Sequence, residues 1–128
     1  MQKILRAFSF TVLLCAFTAS ATMMDFTATS LGGDTWRYDY SVTNDTLGVD
    51  IDEFTIYFDH NFYANLSTVA DAPPGWDSIV IQPDPGLPDD GFYDSLALIA
   101  GIAPGETLSG FSVTVDYFGA GLPGAQFW

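Results

Sequence analysis

A loop at 82–91 contains the densest group of side chains that could bind a cation. It places Asp84, Asp89 and Asp90 within seven residues, among prolines and glycines that stiffen the loop. Ca²⁺ prefers about six to eight oxygen ligands, and three carboxylates with loop carbonyls could supply part of that set. The spacing does not match an EF-hand loop. We therefore expect either a Ca²⁺ site at these three residues or solvated turn residues, and we expect no other cofactor.

A tryptophan beside an aspartate is the second feature that could do chemistry. Trp76 follows a Pro-Gly pair and precedes Asp77. An exposed indole face can stack on a sugar ring while a neighbouring carboxylate binds hydroxyl groups. Carbohydrate binding through Trp76 and Asp77 is therefore one hypothesis. The alternative is a core tryptophan, which the large number of aromatic residues favours.

Few residues could support catalysis. His60 is the only histidine, and no Gly-x-Ser-x-Gly sequence accompanies it to present a serine nucleophile. A glycosidase needs two carboxylates beside a cleft. Glu53 is expected to point outward beside Phe54, where a predicted strand begins, and Glu106 falls in a predicted turn before a strand; neither position implies a cleft. We expect a protein without enzymatic activity and assign no catalytic residue.

The first 21 residues have the composition of a secretory signal peptide. Lys3 and Arg6 precede an apolar run at 7–17, and Ala19 and Ala21 supply the small residues that a signal peptidase reads. The run is too short to span a bilayer, and no later stretch is long enough. We predict an exported chain in which residues 22–128 form one domain without a membrane span or a disulfide.

The charge after residue 21 is strongly negative. One basic residue, Arg37, stands against sixteen acidic residues, a formal net charge of −15 with histidine neutral. Such a surface repels nucleic acid and anionic membranes, because phosphate binding needs clustered Lys and Arg. It favours cations or basic partners, or it simply keeps an exported domain soluble.

The elements that must position these side chains are predicted by alternation of apolar and polar residues with period two. The clearest strands are predicted at 36–43, 54–58 and 111–117, and weaker ones at 25–29, 66–70, 77–82, 93–99 and from Ala125 onward. Seven or eight short strands predict an all-β, antiparallel β-sandwich, immunoglobulin-like or jelly-roll-like, with a closed barrel as the alternative. Because the sequence stops at Trp128 within the last predicted strand, we expect this domain to be truncated at its C-terminal end.

Five stretches carry a resemblance to a known class of proteins: 36–44, 51–58, 74–77, 82–94 and 102–113. Together they resemble secreted bacterial proteins of the PEP-CTERM sorting class. The resemblance implies an exported surface or matrix protein of a Gram-negative bacterium that makes exopolysaccharide. The Pro-Glu-Pro motif, apolar helix and basic tail that define the class do not occur in this sequence, which implies either a fragment or a released member.

The expected function combines these observations. We expect a non-catalytic structural or adhesive extracellular module, with exopolysaccharide or other matrix proteins as its partners. The rival hypothesis is a carbohydrate-binding β-sandwich domain.

Overall fold

The fold consists of seven β-strands. The computed structural model describes residues 22–68 and 72–128, so the predicted signal peptide lies outside the described residues. The strands are β1 (Met23–Gly32), β2 (Thr35–Thr43), β3 (Glu53–Phe58), β4 (Tyr63–Thr68), β5 (Trp76–Ile81), β6 (Gly91–Ala97) and β7 (Thr107–Tyr117). No helix occurs among the described residues.

The strands form two antiparallel sheets. One sheet has four strands in the order β1-β2-β7-β4, and the other has three strands in the order β3-β6-β5. This arrangement confirms the predicted antiparallel β-sandwich. Compared with the strand order of a constant-type immunoglobulin domain, β5 and β7 have exchanged sheets.

The inner faces of the two sheets bury the residues that the alternation predicts. In β2 and β7, Tyr38 and Val113 are fully buried and are paired across the two strands. From the other sheet, Ile56 of β3 and Tyr93 of β6 are buried at 0% and 1% exposure. In β2, β3, β6 and β7, the side that faces the opposite sheet is buried and the other side is more exposed to water.

Aromatic rings fill much of the space between the sheets. Phe54 of β3 contacts Phe111 of β7 edge to face, with ring centroids 4.7 Å apart. Trp76 of β5 contacts the same Phe111 at 5.2 Å, also nearly perpendicular. Perpendicular packing is a favoured arrangement of aromatic pairs, and these rings supply a large part of the buried area.

Strand β4 departs from the alternation. Asn65 has a φ of +52°, and the pairing with β7 is interrupted between Ala64 and Ser67. The backbone of Leu66 is satisfied instead by the side chain of Gln82, which accepts its N–H at 2.8 Å and donates to its carbonyl at 2.7 Å. This amide joins the four-stranded sheet to the chain that leaves β5.

The predicted strand from Ala125 onward is wrong. In this segment, a single bridge pairs Phe127 with Tyr57 of β3. The neighbouring side chain of Gln126 points inward and donates to the hydroxyl groups of Tyr38 at 3.1 Å and Tyr63 at 2.7 Å. The segment therefore packs over the end of the core through a side chain and does not form a backbone ladder.

Candidate functional site

Two connections at one end of the three-stranded sheet meet to form the candidate site. They are the β5–β6 loop at 82–90 and the β3–β4 turn at 59–62. In the loop, the backbones of Asp84 and Asp89 hydrogen-bond each other in both directions, at 2.8 and 3.0 Å. Oδ1 of Asp84 also accepts the N–H of Gly86 at 2.8 Å. These bonds hold the chain between the two aspartates in a tight loop.

The β3–β4 turn directs His60 toward this loop. The carbonyl of Asp59 accepts the N–H groups of Phe62 and Tyr63, both at 3.0 Å, which tightens the turn. The backbone N–H of His60 donates to Oδ1 of Asp90 at 3.0 Å. The ring Nδ1 lies 2.7 Å from the same oxygen and donates to it when it carries the proton. His60 therefore ties the turn to the acidic loop.

The contacts with His60 lower the pKa of Asp90. The larger cause is the hydrogen bond from the His60 backbone N–H, and the ring nitrogen adds to it, because both stabilise the ionised carboxylate. The Asp90 side chain is 45% exposed, so solvent screens the pair and limits its contribution to about 1 kcal/mol or less. Asp90 is therefore charged at neutral pH.

A row of apolar side chains crosses the outer face of the three-stranded sheet beside these connections. Strand register pairs Tyr57 of β3 with Phe92 of β6, and Phe92 with Ile81 of β5. Tyr57 and Ile81 are 45% and 48% exposed. The rings of Tyr57 and Phe92 lie 6.1 Å apart at an angle of 59°. All three point outward because successive side chains of a strand alternate between its faces.

The connections and the row together form a cavity of about 780 Å³, which we call the outer groove. Its apolar lining comes from Tyr57, Ile81, Leu87, Pro88 and Phe92. Its polar lining comes from His60, Gln82, Asp84, Asp89 and Asp90. Apolar walls with a few polar groups are typical of ligand sites.

The three predicted Ca²⁺ ligands, Asp84, Asp89 and Asp90, all line the outer groove, but their carboxylates do not gather in one cluster. Over residues 22–68 and 72–128, the group of three acidic or histidine side chains whose ligating atoms all lie within 4.8 Å of one another consists of Asp59, His60 and Asp90. Calcium prefers oxygen to nitrogen ligands, and this group contains an imidazole. The Ca²⁺ site therefore stays a prediction.

Trp76 and Asp77 are placed on opposite faces of β5. Trp76 is 7% exposed and contacts Phe54 and Phe111, so its ring belongs to the core. Asp77 is exposed on the outer face of the sheet. The hypothesis of a sugar platform needs an exposed aromatic face, and this position of the indole does not favour it. The core alternative matches the observed burial.

The two glutamates considered for glycoside hydrolysis do not share a cleft. Glu53 lines a separate, mostly apolar cavity of about 430 Å³, and no second carboxylate among the described residues lines it. Glu106 is exposed, and its backbone bonds to the carbonyl of Ala103 in a turn. A pair of facing carboxyl groups is the arrangement that the reaction requires.

The apolar half of the outer groove is not predicted by the sequence. Tyr57 falls between Ile56 and Phe58 in a predicted strand, so period two does place it outward. Phe92 lies just before the predicted start of β6, and Ile81 shares its strand with an inward Val80. Only the register between the three strands brings Tyr57, Phe92 and Ile81 into one row, and that register is not visible in local periodicity.

Over residues 22–68 and 72–128, no apolar helix reaches the length that crossing a membrane requires. No family model, curated protein or solved structure matches this chain.

Proposed function

We propose that this chain is an exported, non-catalytic structural or adhesive module of the cell surface or extracellular matrix of an exopolysaccharide-producing Gram-negative bacterium. The observation that supports adhesion is the outer groove, where the exposed ring of Tyr57 and the half-buried ring of Phe92 lie beside carboxylates on one sheet. The observation that supports export is the sequence at 1–21, which has the charge, apolar run and cleavage residues of a signal peptide.

Several features of the sequence support a non-catalytic role. The lysine and cysteine of the chain, Lys3 and Cys15, both lie within the predicted signal peptide. The remaining candidate base, His60, has its Nδ1 2.7 Å from Asp90. An aspartate beside Nδ1 also orients the histidine of a catalytic triad, whose other ring nitrogen takes the proton of a nucleophile. Among the described residues, His60 has no hydrogen bond to a serine, threonine or cysteine side chain that could be that nucleophile.

Export can be tested by expressing the full chain with a C-terminal epitope in a Gram-negative host. We expect the epitope in the medium or on intact cells, and we expect mass spectrometry to place the new N-terminus at Thr22. A matched variant with Ala19→Leu and Ala21→Leu should keep the signal peptide, because the peptidase requires small residues at both positions. Retention of the unprocessed parent chain in the cytoplasm would contradict the proposal.

Adhesion can be tested by measuring how the purified protein is retained on surfaces coated with bacterial exopolysaccharide. We expect retention of the parent protein and loss of retention in the Tyr57→Ala variant, because Tyr57 is 45% exposed in the outer groove. Phe118→Ala is the matched control, since Phe118 is 57% exposed and does not line the groove. Equal retention of both variants would show that the outer groove does not mediate adhesion.

A carbohydrate-binding domain is the second candidate function. The observation that favours it is the pair of neighbouring rings, Tyr57 and Phe92, at the surface of the outer groove. Aromatic faces of this kind can stack against sugar rings, while carboxylates such as Asp89 accept hydrogen bonds from hydroxyl groups. A glycan array separates the two candidates: an adhesive module is retained on the assembled polysaccharide but binds no defined oligosaccharide, whereas a carbohydrate-binding domain binds a set of oligosaccharides and loses them in Tyr57→Ala.

A further inference from the structure

We propose that the outer groove binds amino-sugar units that carry a protonated amine, as part of a cationic polysaccharide. This inference rests on the carbohydrate-binding candidate above and specifies its ligand class. Three features of the groove support it: its charge, its row of apolar side chains and its width.

The charge of the groove is negative without a compensating Lys or Arg. Asp84, Asp89 and Asp90 line it, and His60 is the one titratable cation among the described lining residues. Arg37 lies in the other sheet, where its Nε bonds to Asp39 at 2.9 Å. A ligand amine would therefore meet carboxylates and no fixed positive charge. Complementary charge also raises the local concentration of such a ligand.

The apolar row supplies the second contact that a sugar needs. A pyranose ring presents a face of C–H groups, which can lie against Tyr57 and Phe92. A protonated amine on that ring is also attracted to the negative face of an aromatic ring. The carboxylates of the β5–β6 loop lie beside these rings in the same cavity. One amino-sugar unit can therefore use both kinds of contact together.

The width of the row favours a polymer of sugars over a basic peptide. Tyr57, Phe92 and Ile81 lie on three adjacent strands, and strand spacing makes such a row about 9–10 Å wide. That width exceeds a single pyranose ring, so a chain of units can lie along it. A basic peptide carries its charges on flexible side chains and offers no flat apolar face to cover the row.

The same features disfavour other sugars. A polymer of uronic acids carries carboxylates that would face Asp84, Asp89 and Asp90, and like charges repel. A neutral or N-acetylated sugar can contact the aromatic rings but forms no ion pair. The proposal therefore predicts a ranking of ligands and not merely binding to sugar.

Isothermal titration calorimetry of the exported and purified protein tests that ranking with matched ligands. Oligomers of glucosamine and of N-acetylglucosamine share one backbone and differ in the charged amine. At a pH below the amine pKa, we expect glucosamine oligomers to bind about tenfold more tightly. Raising NaCl from about 20 to about 500 mM should reduce that advantage, because salt screens exposed ion pairs. Oligolysine is titrated in the same way, as a basic peptide that tests the alternative ligand class.

Two pairs of variants connect the binding to the groove. Asp89→Asn should lower the affinity for glucosamine oligomers a few-fold, because the ion pair with the amine is lost. It should leave the affinity for acetylated oligomers nearly unchanged, because the asparagine carbonyl oxygen can still accept a hydrogen bond from a hydroxyl group. Asp77→Asn is its control, since Asp77 is exposed on the same sheet but does not line the groove. Tyr57→Ala should weaken binding about tenfold, and Phe118→Ala should leave it unchanged. Near-UV circular dichroism verifies that each variant is folded.

Each outcome decides between the proposals. Preferred binding of glucosamine oligomers that depends on Asp89 and Tyr57 supports the inference. If both oligomers bind equally well and both depend on Tyr57, the proposed preference for a protonated amine is wrong, but carbohydrate binding by the groove is still supported. Absence of binding to both oligomers overturns the inference, and absence of binding on the glycan array overturns carbohydrate binding as well. Equal effects of Asp77→Asn and Asp89→Asn would show that the outer groove is not the binding site. Tighter binding of oligolysine than of glucosamine oligomers would show that the preferred ligand is a basic peptide and not a sugar.

Discussion

Two stacked tyrosines of β2 form a matched pair for measuring how much a buried hydroxyl group contributes to stability when it has hydrogen-bond partners and when it has none. Tyr38 and Tyr40 are 0% and 3% exposed, and their rings lie 5.6 Å apart and nearly parallel. The hydroxyl of Tyr38 donates to the carbonyl of Gly124 at 2.9 Å and contacts Tyr63 and Gln126. The hydroxyl of Tyr40 has no partner among the described residues. Replacing each tyrosine with phenylalanine removes the hydroxyl and leaves the ring.

The two substitutions should change stability in opposite directions. Tyr38→Phe removes a hydroxyl group that is hydrogen-bonded to several partners. Because each hydrogen bond contributes a net of about 0.5–1.5 kcal/mol, we expect the free energy of unfolding to fall by roughly 1–2 kcal/mol. Tyr63 and Gln126 still bond to each other at 2.7 Å, which limits the loss. Tyr40→Phe removes a buried polar group that has no described partner, so we expect no loss or a gain of up to about 1 kcal/mol.

Denaturation in urea, followed by tryptophan fluorescence, measures this difference. We expect the midpoints of the two variants to differ by the equivalent of about 2 kcal/mol, with an unchanged dependence on urea. In thermal unfolding, the same difference is about 8 °C for a domain of this size. A loss of stability in Tyr40→Phe as large as that in Tyr38→Phe would refute the reasoning, since it would mean that the Tyr40 hydroxyl has a partner.

Four further predictions follow from other contacts. At pH values above about 3.9, the pKa of an unfolded carboxyl group, Asp90→Asn should cause a small loss of stability. This difference from the parent should vanish as the pH falls through the lower pKa of Asp90 in the folded state, and unfolding measured over a range of acidic pH values would show it. Gln82→Ala should cost roughly 1–3 kcal/mol in urea unfolding, because it removes both bonds to Leu66. Phe111→Ala should cost about 3–5 kcal/mol, whereas the exposed Phe118→Ala should cost less than about 0.5 kcal/mol by the same assay. If the acidic loop binds Ca²⁺, calcium at about a hundred times its dissociation constant should stabilise folding by roughly 2.7 kcal/mol, and a melting curve unchanged by chelator at fixed ionic strength would exclude the site.

The sequence could predict the strands whose alternation is regular. Tyr38 and Val113 lie in strands with an apolar and a polar face, and both strands were found because each face meets a different environment. Strand β4 was predicted three residues late at its start. Its buried residues, Tyr63 and Leu66, are three apart because Asn65 adopts a left-handed backbone between them. A bulge of this kind disrupts the period on which the prediction depends.

The site could be predicted only in part. The acidic loop is continuous in sequence, so its carboxylates were found together. The orientation of Trp76 could not be deduced, because β5 has apolar residues on both faces: Val80 points inward, whereas Ile79 and Ile81 are 52% and 48% exposed. The apolar row of the groove depends on which residues pair across three strands, and pairing register is a property of the whole sheet.

The residues that hold the fold and those that line the outer groove are almost separate sets. The core uses inward residues such as Phe111 and Trp76, whereas the groove uses outward residues and a loop closed by its own hydrogen bonds. Substitutions such as Asp89→Asn and Tyr57→Ala should therefore change binding with little effect on unfolding. Gln82 and Asp90 are exceptions. Gln82 lines the groove while its amide holds the backbone of Leu66 in the opposite sheet, and Asp90 lines the groove while it bonds to His60 of the β3–β4 turn. A binding defect in Gln82→Ala would therefore have to be corrected for lost stability before it could be assigned to the groove.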